Sequence, residues 1–403
     1  MATTDKAITF DEQVELKVRD RSKEMDIEVD VAESNPELDS FEQMEDGSIE
    51  FGAPLPPMDN TDFYTNLAEI IDDSDLNSLK NDLMGNIEAD KESRSDWEKT
   101  YRNGLEYLGM KYEERSAPFE GASGVMHPLL AESVTQFQAQ AYNELLPSQG
   151  PVKTQVLGMT TPETEQQAAR VQEFMNYQLM QVMKEYDPET DQMLFYLPLS
   201  GSAFRKVYYD QNLGRAVSKF IPSEDLIVPY AATDLHSATR ITHVINMSMN
   251  DIRKLQQVGF YSDVKIDSAS MMADETDEIQ EEIDELQGVS PSYSDDDTCK
   301  VHEIHTELDI PGFEDMNAQG EETGIKLPYI VTIANNKVLS IRRNYKENDQ
   351  LKQRTNYFVH YKFLPGLGFY GFGLTHMIGG LSKASTSILR QLIDAGPLSN
   401  LPA

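Results

Sequence analysis

The sequence contains a single cysteine, Cys299, in 403 residues. No disulfide can therefore form within the chain, which excludes a cystine-stapled scaffold and points to a reducing compartment. No apolar run approaches the 18 residues that a membrane-spanning helix needs. The first residues, MATTDKAITFDEQVELKV, lack the basic stretch and apolar core of a secretory signal. Cations are scarce: 34 Lys and Arg stand against 69 Asp and Glu, a formal charge of −35. Tight binding to nucleic-acid phosphates requires clustered Lys and Arg, so this balance argues against it. It does not argue against proximity to DNA, because repulsion keeps a phosphate backbone from sticking.

The negative charge is concentrated in two places. Residues 1–60 hold 17 acids against 5 bases, and residues 263–298 hold 13 against 1. The first reads as an acidic, disordered arm, closed by the linker prolines Pro54, Pro56 and Pro57. The second reads as an acidic insertion, part of it a polar helix. The remaining residues carry ordinary charge for a globular body.

Between these segments the hydrophobic period predicts an α+β order. Leu76, Leu79, Leu83 and Ile87, then Trp97, Tyr101, Leu105 and Leu108, mark two helices or one helix with a solvated waist. A helix follows from Pro128 to the residues before Pro147, and another from about Glu163 to Glu185. A short helix over 191–197 leads to Gly201. The period then changes to two, and 203–221 reads as a hairpin about a Gly214-bearing loop. Strands follow near 226–228 and 241–247. Ser248 and Asp251 form a capping-box variant that starts a helix closed by Gly259. Strand patterns resume at 300–308 and 326–343.

The last stretch combines a strand over 357–363, a glycine-dense turn and a helix over 374–395. In that helix Leu374, Met377, Ile378, Leu381, Ala384, Ile388, Leu392 and Ala395 recur at helical spacing. Gly396-Pro397 supplies its expected stop. Leu381, Ile388 and Leu392 are the candidate contacts with a neighbouring element or subunit. Ser382, Lys383, Ser385 and Thr386 are expected on a more polar side.

Motifs that carry chemistry are weak here. Gly366 to Gly371 matches G-x-G-x-x-G, but a dinucleotide site also needs a second parallel strand ending in an acid. Asp394 falls in a helix instead, and the favoured reading is a tight strand-to-helix turn packed by Phe369 and Tyr370. Gly121 to Gly124 is not a nucleophile elbow. His302 and His305 lack the spacing of a metal site and fall on opposite strand faces. The acids of 263–298 lack the ligand spacing of a calcium loop. No catalytic, cofactor or metal residue is assigned, and no enzyme is expected.

Three stretches together resemble one family. They are Pro118–Pro147 (PFEGASGVMHPLLAESVTQFQAQAYNELLP), Phe220–Tyr261 (FIPSEDLIVPYAATDLHSATRITHVINMSMNDIRKLQQVGFY) and Phe369–Ala403 (FYGFGLTHMIGGLSKASTSILRQLIDAGPLSNLPA). The family is the portal proteins of tailed double-stranded DNA bacteriophages, of the long type found in short-tailed phages, and the likeness spans about residues 75–403. The resemblance implies a homododecameric ring at one capsid vertex, assembled in the host cytoplasm and carried in the virion. Genomic DNA would pass through its channel during packaging and ejection. The terminase large subunit, capsid or scaffold proteins and tail adaptors would be the partners. It further implies a wing-like body over 62–262, a β-rich clip-like segment over 300–363, and a glycine turn with a stem-like helix over 369–403. Family members continue well beyond this point, so the chain is expected to be an N-terminal part. Two other readings compete: an acidic cytoplasmic α/β enzyme with a nucleotide at Gly366–Gly371, and an acidic adaptor that forms no ring.

Overall fold

The structure is a computed structural model that describes residues 63–110, 115–117, 119–210, 213–266, 278–288, 298–316 and 322–399. All of these belong to one compact unit, Asn60–Ala403. The acidic arm over 1–60 lies outside the described residues.

The described residues are mixed helix and antiparallel sheet, α+β as the sequence period predicts. The first two helices are α1 (Asp73–Ser93) and α2 (Ser95–Tyr107). They are separated at Arg94, whose backbone leaves helical geometry (φ −104°, ψ 7°). Helix α3 is Leu129–Leu145, α4 is Pro162–Tyr177 with a π-turn continuing to Val182, and α5 is Tyr186–Ser200. The hairpin then forms from β1 (Ser202–Asp210) and β2 (Arg215–Ile221), followed by β3 (Leu226–Ile227) and β4 (Arg240–Ser248). Ser248 accepts the Asp251 N–H at 3.1 Å and starts α6, Met249–Gln257. The described part of the acidic insertion contains helix α7, Glu278–Gln287.

Strands β5 (Thr298–Leu308), β6 (Leu327–Ala334) and β7 (Lys337–Arg343) follow. The sequence pattern ran unbroken over 326–343; the structure breaks it at Asn335-Asn336. Both asparagines take positive φ (43° and 63°), the signature of a two-residue hairpin turn that asparagine tolerates. The last elements are β8 (Phe358–Lys362) and α8 (Leu374–Ser399). Gly396-Pro397 was expected to end α8 but lies within it. Gly396 keeps a right-handed φ, so the left-handed stop that glycine permits is not used.

Two antiparallel sheets result, in the orders β2-β1-β8 and β3-β4-β5-β6-β7. The segment 300–363 is thus not set apart from 62–262. β5 pairs with β4 from Arg240 opposite Thr306 to Ser248 opposite Thr298, and β8 pairs with β1. One face of the five-stranded sheet packs Tyr329, Val331, Ile333 and Ile341 against Leu83 and Ile87 of α1. A second cluster joins Phe204 and Phe358 of the small sheet to Leu226 and Ile241 of the large one, with Phe369 from the glycine turn. The helical layer has its own core of Tyr101, Leu105, Leu130, Val134 and Leu199, to which Ile279 of α7 adds.

Two polar nodes, one buried and one half-buried, hold these layers in place. Arg94 is 5% exposed. Its guanidinium donates to the carbonyls of Ser223 (3.1 Å), Leu226 (2.9 Å) and Glu224 (2.5 Å), to Tyr370 Oη (3.2 Å) and to Glu98 (2.8 Å). One side chain at the helix break therefore satisfies two carbonyls of the turn before β3 and the first carbonyl of β3. The second node is Lys206 of β1, which meets both Glu303 carboxylate oxygens of β5 at 2.6 Å. His305 Nε2 lies 2.7 Å from the same carboxylate, and since Glu303 is ionised the nitrogen carries the proton. Burial alone would raise Glu303, but Lys206, His305 and His243 hold it well below the usual carboxylate range.

These nodes generate two predictions. Replacing Arg94 by Met leaves several carbonyls without a donor and Glu98 without its partner, a loss of about 3 kcal/mol or more in urea unfolding. A loss under about 1 kcal/mol would contradict the role given to Arg94. The second concerns acid. Burial, then Lys206, depresses His243 to about 3, and burial, then Lys362, depresses His360 to about 3. Above the unfolded value of about 6.5 both states are neutral; below it only the unfolded chain takes up the proton. Stability therefore falls as pH drops from about 6.5 toward 3, by about 2 kcal/mol per histidine between pH 6.5 and 5. Glu303 adds a loss in the same direction below about 4.3. The variant His243→Phe should show a shallower slope over pH 6.5–5, and an unchanged slope would count against this assignment.

Candidate interaction surface

Helix α8 docks on the body through its small and polar residues. Thr375, Ser382 and Thr386 are buried, at 7%, 1% and 8% exposure, and Gly379 sits beside the Tyr107 ring. Positions 375, 379, 382 and 386 are spaced four, three and four, which is one face of a helix. On the facing helix α2, a methyl group at Gly104 would overlap Thr375. Small residues on both sides let α8 lie close against α2 and α3.

Hydrogen bonds lock this orientation at both ends. Thr375 Oγ1 donates to the Leu199 carbonyl at 3.0 Å. Thr386 Oγ1 accepts the His127 N–H at 3.0 Å, Arg390 Nε donates to the Val125 carbonyl at 2.7 Å, and Asp394 accepts the Ser123 N–H at 2.7 Å. The three segments 123, 125 and 127 lead into α3, so the polar edge of α8 is stitched to that loop.

The opposite face carries large apolar residues. Met377, Leu381, Ile388 and Leu392 are 60%, 60%, 66% and 70% exposed, and Ala384 lies between them, also exposed. The spacing of four, three, four and four forms a continuous stripe about 22 Å long at 1.5 Å per residue. Of the apolar set marked in the sequence, Leu374 and Ile378 join the helical core, while Leu381, Ile388 and Leu392 do not. Of the residues expected on the more polar side, Ser382 and Thr386 are buried against the body, Ser385 is half-buried and Lys383 is exposed. Large apolar residues release most water on burial, so the pattern marks them for a contact without saying whether it lies within the chain or in another copy. Here the hydrogen-bonded small residues fill the narrow space instead. The signal in the sequence was the small-residue spacing 375, 379, 382 and 386.

The glycine turn before α8 is packed by backbone. A side chain at Gly371 would strike the Gly201 carbonyl, and one at Gly373 would strike Leu199 O, Gly201 N and Pro198 O. Gly201 itself has φ +84° and lies against Phe372 and Gly373. Ser202 Oγ accepts the Gly371 N–H at 2.8 Å and lies 3.1 Å from His360 Nε2. β8 is antiparallel to β1, not parallel to it. The glycines thus serve a crossing of two chain segments, and Phe369 and Tyr370 belong to the core cluster.

Elsewhere the titratable groups are committed to structure. Among the described residues no group of three or more His, Cys, Asp or Glu is placed to hold a metal ion. His305 is buried beside Glu303, whereas His302 is half-buried. The adjacent pair Arg342 and Arg343 donates to the carbonyls of Phe260, Tyr64 and Phe63 at 2.8–2.9 Å. A groove of about 610 Å³ between α2, α7 and α8 mixes Arg115, Lys383 and Arg390 with Glu106, Glu282 and Glu285. Among the described residues no helix is long and apolar enough to cross a membrane. No family model matches the chain, and no curated protein matches it.

The inverted phase of α8 predicts an inverted mutational pattern in the dilute chain. Ile388→Asp changes unfolding stability by less than about 0.5 kcal/mol, because the side chain meets solvent. Ser382→Leu costs about 1–3 kcal/mol, because it overfills a close helix contact. The reverse order would show that α8 faces the body with its apolar stripe.

Proposed function

We propose that the chain is a subunit of a ring-forming bacteriophage portal, the head-to-tail connector of a tailed double-stranded DNA phage. The reading starts from the likeness of Pro118–Pro147, Phe220–Tyr261 and Phe369–Ala403 to that family. The observation that carries it is the α8 stripe of Met377, Leu381, Ile388 and Leu392, large apolar residues held outward by the docking of the other face. A contiguous exposed apolar stripe marks a protein contact, and Leu381, Ile388 and Leu392 are assigned to the contact between subunits. Helix α8 takes the stem-like role, and the two sheets with α1–α5 take the wing and clip roles.

The chain's acidity supports the same reading. A conduit for DNA gains from a surface that offers phosphates few free cations, and the one Arg pair is occupied by backbone carbonyls. The partners under this reading are further copies of the chain, in the dodecameric geometry that the family resemblance implies, together with terminase large subunit, capsid or scaffold proteins and tail adaptors. No covalent step is assigned to the portal, and its place is the capsid vertex of the virion. The competing nucleotide reading of Gly366–Gly371 gains no support, since Gly366 and Gly371 lie against the backbone of Tyr370 and Gly201 and only Gly368 is open.

Electron microscopy of the full chain tests the proposal. Closed rings with a central hole are expected, and Ile388→Asp abolishes them by placing a carboxylate in the desolvated contact. Affinity for duplex DNA is expected to be weaker than about 1 μM at physiological salt. Submicromolar binding with a steep salt slope would favour a DNA-binding protein over a conduit.

A further inference from the structure

A closed ring joins one patch of each subunit to a different patch on the next. Helix α8 supplies only one such patch, because its other face is used against α2 and α3. A second unpartnered apolar face is present on α4. None of the 16 residues of α4 is buried, and Val171, Phe174 and Tyr177 are 53%, 59% and 56% exposed. A helix in water draws most of its stability from packing one face, and among the described residues nothing covers this one.

Like α8, α4 spends its polar side inside the chain. Asn176 accepts the Val152 N–H at 2.9 Å and donates to the Val152 carbonyl at 3.1 Å, and Gln172 accepts the Thr154 N–H at 3.1 Å. These bonds tie α4 to the extended segment 151–157 and turn Val171 and Phe174 away from it. The tip of this arm, Leu157 and Met159 about Gly158, is 89% exposed at both apolar residues. The charges are complementary. Glu163, Glu165 and Glu173 outnumber Arg170 on α4, whereas Lys383 and Arg390 outnumber Asp394 on α8. In a chain of charge −35, α8 carries no net negative charge that would repel an acidic helix.

We propose that α4 of one copy packs along the outward stripe of α8 in a second copy, with Val171 and Phe174 against Leu381 and Ile388. This inference rests on the ring reading and adds the identity of the two surfaces. Because the two patches differ, the contact is head-to-tail and each copy can pass it on to the next.

Disulfide trapping in the full chain tests it, with the buried Cys299 left in place and the unsubstituted chain as control. Phe174→Cys with Ile388→Cys in one chain should give a ladder of covalent multiples on mild oxidation. Mixing the two single variants should give a dimer, and Ile388→Cys alone should not cross-link. Val171→Cys with Leu381→Cys guards against an error of one helical turn in register. If Ile388→Cys alone cross-links, α8 meets its own copy about a two-fold axis and this inference falls, while the ring reading is then decided by whether closed rings are seen in the electron microscope. If the chain assembles but neither pair cross-links, this inference also falls. If the chain stays monomeric at every concentration, both fall.

Discussion

Two stretches of backbone cross at Gly201, and the rest of the body is arranged around that crossing. α5 ends there, β1 begins there, and the turn from Gly371 to Gly373 passes so close that no side chain fits on either strand of the crossing. Hydrogen bonds then fix it: Phe363 N donates to Gly201 O at 3.0 Å, Gly371 N to Ser202 Oγ, and Thr375 Oγ1 to Leu199 O. A crossing with no free volume tolerates little sliding. The helical layer, the three-stranded sheet and the start of α8 are therefore set in one register. Arg94 extends the same node to the turn before β3 through Tyr370, and Lys206 with Glu303 carries it across to the larger sheet.

From this follows the orientation of α8. With its first turn held at Leu199 and its far end held by Val125 and Ser123, the helix has no freedom to roll. Its large residues point outward because its small ones are clamped inward. Each Leu, Ile or Met left in water forgoes about 1.5–3 kcal/mol that burial would return, so the stripe is a reserve of free energy for a partner. A partner that matches it gains apolar burial without first reorganising the helix, which lowers the cost of association. The long-range repulsion of acidic subunits opposes assembly and weakens as salt screens it, so the apolar stripe must outweigh that repulsion at close range.

Much of the architecture was legible in the sequence because period and punctuation are local. The change from helical spacing to alternation at Gly201, the Ser248 cap, the helix in the acidic insertion and the strand before the glycine turn all appear where the pattern places them. What failed was either short-range geometry or long-range partnership. The hairpin at Asn335-Asn336 interrupts two apolar stretches with only the polar triplet Asn335-Asn336-Lys337, so the tolerance of asparagine for positive φ was its main mark. Gly396-Pro397 reads as a stop, but Gly396 does not take the left-handed conformation that would make it one, and the helix continues through it. Which face of α8 meets the body was not legible for a deeper reason. Hydrophobic spacing identifies a stripe that seeks burial, but it does not say whether the burial lies within the chain or in another copy. The half-buried pair Lys206 and Glu303 lies 97 positions apart, and no local pattern announces it.

Sedimentation velocity of the full chain, run over a range of concentrations beside the Ile388→Asp variant, tests the account most directly. The account predicts a large discrete species for the unsubstituted chain, an integer multiple of the chain mass, and a folded monomer for the variant. A monomer for the unsubstituted chain throughout, or the same large species for both, would contradict it.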